Sequence, residues 1–69
     1  MQRKAEKQAA VVVMAQRQAE LDAAKKRFDR SQQLAESGSG SIEALDNDRA
    51  RYEAGKAAVA VAEGAGRRY

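Results

Sequence analysis

Apolar residues return along this chain at intervals of seven. Met14, Leu21, Phe28 and Ala35 form one such series, with Ala10 and Ala24 four residues ahead of two of its members, and Leu45, Tyr52 and Val59 form a second. A sevenfold recurrence marks the seam of a coiled coil, so the pattern predicts two helices that face each other. Residues 2–37 contain neither Gly nor Pro and are dominated by helix formers, which predicts one helix of about 36 residues and about 54 Å. Ser37-Gly38-Ser39-Gly40-Ser41 is the one cluster of turn residues. Gly38 suits the left-handed position that closes a helix. Ser41 suits the N-cap of the next, where Glu43, Asp46 and Asp48 meet a favourable helix dipole. Ala44 stands where a capping box would place its acid. The second helix is expected over about 42–63, weakened by Gly55 and frayed by Gly64 and Gly66, with Arg67 and Arg68 complementing its carboxyl end. Two long helices joined by so short a loop fold back on each other. The expected fold is therefore all-α: an antiparallel two-helix coiled-coil hairpin forming a single domain over residues 1–69, with its turn at 38–41.

Facing the two stripes sets a register in which Ala35 lies beside Leu45, Phe28 beside Tyr52, Leu21 beside Val59 and Met14 beside Gly66. The seam is thin. Large apolar residues appear about once per two turns, and Arg17, Ser31, Arg49 and Lys56 are read as occupying intervening positions. Val11-Val12-Val13 covers nearly every face of its helix beyond the stretch that the second helix shields. Both features point to lateral packing against another copy, as in a bundle, or against the rest of a larger protein.

Composition narrows the classes. The 69 residues include no Pro, Cys, His or Trp, and Ala accounts for 16 of them, so little material exists for a core. The absence of Cys and His removes thiolate chemistry, the commonest metal ligand and the commonest general base. A two-helix hairpin also offers no water-excluding pocket, so no enzyme, cofactor or metal is expected. Asp46, Asp48 and Glu53 read as a solvated face, and Asp22 with Lys26 as an ordinary surface pair. The net charge of +3 is uneven: residues 1–37 carry eight Lys or Arg against five acids, whereas 41–66 carry three against five. No reading motif or aromatic interleaving accompanies the basic excess, so nucleic acid is not an expected partner. The seven apolar residues Ala9–Ala15 fall far short of the roughly 20 that a membrane span requires.

The turn region carries the most specific signal. Arg30, Leu34 and Ser41 form an R-x3-L-x6-S string that crosses the predicted tip, followed by Leu45-Asp46. With Leu21-Asp22-Ala23-Ala24-Lys25-Lys26-Arg27 approaching and Ala57-Ala58-Val59-Ala60-Val61-Ala62-Glu63 leaving, this resembles the hairpin tip of HlyD-like periplasmic adaptor proteins, the membrane fusion proteins of tripartite efflux pumps and type I secretion systems. The resemblance implies that Arg30, Leu34 and Ser41 contact the periplasmic end of a TolC-like outer-membrane channel, with six adaptor copies meeting it tip to tip. Arg30 would donate hydrogen bonds to channel carbonyls or carboxylates, Leu34 would enter an apolar groove between channel helices, and Ser41 would bond at the turn. The residues have ordinary readings as well: Arg30 as a helix-end dipole complement, Leu34 as a seam residue, Ser41 as an N-cap. One departure stands out. The family's tips place an apolar residue just before the serine, where this chain has Gly40, which leaves the orientation of Ser41 open.

The resemblance further implies a parent protein with a lipoyl-like domain, a β-barrel, a membrane-proximal domain and an inner-membrane anchor, working in the periplasm beside an inner-membrane transporter. No strand pattern for such domains occurs here, so the chain is read as the hairpin segment alone. Two other classes stay open: a purely structural coiled-coil module that pairs into a four-helix bundle, and a basic amphipathic helix acting on anionic membranes or nucleic acid.

Overall fold

The computed structural model describes the backbone of residues 2–67 and the side chains of residues 8–64. Two helices, α1 (Gln2–Glu36) and α2 (Ile42–Arg67), pack along their lengths into a rod of 56 × 14 × 12 Å. The all-α antiparallel hairpin expected from the heptads is the fold observed. α2 continues through Gly55 and Gly64 to Arg67, beyond the expected end at 63. At Gly55, packing against Leu21 of α1 compensates the poor helix propensity of glycine, as tertiary contact commonly does. The side chains of Arg67 and Arg68, expected to complement that end, and Gly66, expected beside Met14, lie outside the described side chains.

The residues withdrawn from solvent trace an alternation of three and four, Ala10, Met14, Arg17, Leu21, Ala24, Phe28, Ser31 and Ala35 on α1, and Leu45, Asp48, Tyr52, Gly55, Val59 and Ala62 on α2, with Ala58 half-buried beside Val59. Most are only half-buried. Val59, at 7% exposure, is the single buried apolar residue among those described. Phe28 and Tyr52 meet as expected, with ring centroids 5.6 Å apart and planes inclined by 25°. Leu21 lies against Gly55, where a Cβ would come within 3.2 Å of its Cδ1. The glycine thus gives a large aliphatic room next to the partner backbone, one turn from Val59.

Two intervening positions differ from expectation. Arg49 and Lys56 are exposed and sit one residue past the seam, whose members are Asp48 and Gly55. Asp48 is accordingly not part of a solvated acidic face. It is half-buried, and its Oδ2 accepts a hydrogen bond from Ser31 Oγ across the seam. A polar pair at a seam position tolerates only registers that keep the two groups together, because a slip would leave a half-buried carboxylate unpartnered. On the surface, Asp22 takes its hydrogen bond from Gln18 Nε2 at 3.2 Å rather than pairing with Lys26.

The two flanks of the seam are finished differently. Arg49 holds its guanidinium carbon 5.7 Å from the Phe28 centroid, and Lys56 its Nζ 4.8 Å from the Tyr52 centroid while pairing with Glu53 at 3.1 Å. Opposite lies a shallow open groove of about 520 Å³ lined by Glu20, Ala23, Ala24, Arg27, Arg51, Ala54, Gly55 and Ala58.

Candidate partner-binding site

The tip is built around the carbonyl of Leu34. α1 ends at Glu36, and Gly38 adopts φ +80°, a conformation that glycine enters without steric penalty. The turn then closes as a Schellman motif: Gly38 N–H donates to Ala35 O at 3.1 Å and Ser39 N–H to Leu34 O at 2.9 Å. Gly40 N–H, at 2.9 Å, and Ser37 Oγ, at 3.0 Å, donate to the same Leu34 oxygen. Three donors on one carbonyl draw the loop down onto the last turn of α1. So close is the approach that a Cβ on residue 40 would lie 2.8 Å from Leu34 Cβ and 3.1 Å from the Ala35 nitrogen. Glycine in place of an apolar residue at position 40 thus has a steric cause.

Ser41 is the N-cap of α2. Its Oγ accepts from Ala44 N–H at 3.0 Å, and its carbonyl accepts from Leu45 N–H at 3.2 Å. This fixes the orientation that the sequence left open and leaves the hydroxyl proton to be donated outward. Ser41 itself is exposed.

Arg30 and Leu34 lie four residues apart and share one face of α1. Leu34 is not a seam residue: it is 43% exposed, one position before the half-buried Ala35. Nor does Arg30 complement the helix terminus, since it lies well before the last turn, which contains no basic residue. Its side chain is exposed, and among the described residues no ion pair or hydrogen bond engages its guanidinium. The hairpin therefore presents a forked cation, a branched aliphatic and a hydroxyl near the end of the rod, with Arg30 exposed and Leu34 still 43% open to solvent beside Gly40.

Ile42 is the residue that sequence reasoning missed. It is 74% exposed, directly after Ser41. The heptad phase held the signal, because seam members at Leu45 and Asp48 place Ile42 off the stripe and in solvent. Among the described residues no three His, Cys, Asp or Glu side chains converge as metal ligands, and no helix is long and apolar enough to cross a membrane. No family model, no curated protein and no solved structure matches the chain.

Proposed function

We propose that the chain is the channel-docking hairpin of a periplasmic adaptor protein, binding a TolC-like outer-membrane channel through Arg30, Leu34 and Ser41 at its tip. The observation that carries this reading is the placement of the R-x3-L-x6-S string: Arg30 and Leu34 stand one turn apart on α1, and Ser41 begins α2 across a tightly held loop. In this role Arg30 offers a bidentate donor to the backbone or acidic groups of the channel tip, Leu34 supplies the apolar anchor, and Ser41 donates its free proton. Ile42, exposed and next in sequence to Ser41, adds a second aliphatic at the tip. The hairpin performs no chemistry. Its parent protein holds it in the periplasm, anchored to the inner membrane and coupled to the transporter through its other domains, with six copies around the channel.

Binding of the chain to a purified TolC-like channel, measured by calorimetry or surface resonance, tests the proposal. Arg30→Ala and Leu34→Ser should each abolish detectable binding, and export by the parent pump, while the helical circular-dichroism signal stays unchanged. Undiminished binding and export in both variants would remove the docking role.

A further inference from the structure

The series one residue ahead of the α1 seam reads Val13, Glu20, Arg27, Leu34. Its members recur every seven residues and therefore line one flank of α1, that of the open groove. All four are exposed, Val13 at 42% and Leu34 at 43%. Read backwards about the point between Ala23 and Ala24, this series complements itself: Val13 exchanges with Leu34 and Glu20 with Arg27. A second copy laid antiparallel on this flank would set aliphatic against aliphatic at both ends and carboxylate against guanidinium twice between them.

We propose that this flank is the interface of an antiparallel homodimer, in which two hairpins form a four-helix bundle about a two-fold axis crossing Ala23-Ala24 and Ala54-Gly55. Small residues line the groove around the axis, so the backbones approach closely. Charge selects the orientation. In the alternative two-fold arrangement, with both tips at one end, α1 lies on the partner's α2, and Arg27 of each copy comes opposite Arg51 of the other. That would gather four guanidiniums in one groove. In the antiparallel arrangement Arg51 meets Ala58, and only Glu20 faces Arg27. Glu20 is open to such a partner: its carboxylate accepts from Arg17 Nη1 at 3.2 and 3.3 Å and from Gln16 Nε2 at 3.4 Å, all exposed contacts within its own helix, of the kind that contributes little. The stripe from Val13 to Leu34 spans about 32 Å. Two helices wide, it covers on the order of 600 Å² per copy, at the lower end of specific interfaces, so the dimer is expected to dissociate on dilution. The inference shares Leu34 with the tip reading but does not rest on it, since no channel and no tip hydroxyl enters it.

Sedimentation equilibrium of the whole chain provides the test. Wild type should approach twice its 7.5 kDa as concentration rises. Glu20→Arg and Arg27→Glu each place like charges opposite one another twice, and each should weaken association about tenfold or more at low salt. The doubly exchanged chain carrying both substitutions, or an equimolar mixture of the two single variants, should recover dimerisation, with helicity by circular dichroism unchanged throughout. For orientation, Val13→Cys chains mixed with Leu34→Cys chains should form an interchain disulfide more readily than Ala44→Cys mixed with Leu34→Cys. Wild type remaining monomeric at every concentration, single variants associating as wild type does, failure of the exchanged pair to recover, or preferential linkage of positions 34 and 44 would each overturn the proposal.

Discussion

The two flanks of this hairpin share one seam and end in opposite ways. On one, Arg49 and Lys56 fold over the Phe28 and Tyr52 rings, so cations and π-faces satisfy each other within the chain. On the other, Arg27 and Arg51 border a floor of Ala and Gly that gives their guanidiniums no ring and, among the described residues, no carboxylate. Both flanks are basic, so charge count does not distinguish them. What differs is the size of the neighbouring side chain, since large rings complete a surface internally whereas small residues leave room for an outside partner. Stability should therefore respond to the first flank and association to the second.

The largest expected effect comes from removing the feature on which the closed flank rests. Phe28→Ala deletes the stacked ring and the surface beneath Arg49, and should cost about 3 kcal/mol. In a hairpin with one buried apolar residue among those described, a loss of that size should unfold most of the chain at room temperature, as followed by thermal melting. An intermediate effect is expected from the seam itself. Asp48→Ala leaves Ser31 without its partner and should destabilise by about 1 kcal/mol. A double-mutant cycle with Ser31→Ala should recover most of that as coupling energy, and strict additivity would show that the pair does not hold the register. The smallest effect sharpens the contrast between flanks. Lys56→Met should cost about 0.5 kcal/mol through lost contact with the Tyr52 face, whereas Arg27→Met, over the small-residue floor, should leave the melting temperature of the dilute monomer nearly unchanged. Equal shifts at both sites would erase the distinction.

Much of this architecture is legible in the sequence because its signals are local. The Ser-Gly cluster marks the turn, Gly38 and Ser41 mark the helix ends, and the spacing of Phe28 and Tyr52 sets a register that the ring stack reproduces. The intervening seam positions are harder to read. Asp48 and Gly55 look like surface residues in a one-dimensional pattern, and only the opposing helix explains them, through Ser31 in one case and Leu21 in the other. Arg49 and Lys56, expected between the seam's apolar residues, instead lie one position past Asp48 and Gly55 and cover the Phe28 and Tyr52 rings. At the tip, the positions of Arg30, Leu34 and Ser41 follow from spacing. The three donors converging on the Leu34 carbonyl do not, because that arrangement depends on how far the loop bends inward.

Leu34 has a single side chain and two prospective neighbours, the docking channel and Val13 of a second copy. It can be covered by only one of them at a time. If both proposals hold, a population kept crowded would keep its anchors sheathed, and spreading the chains thin would bare them, so that abundance alone would set the balance between storage and engagement.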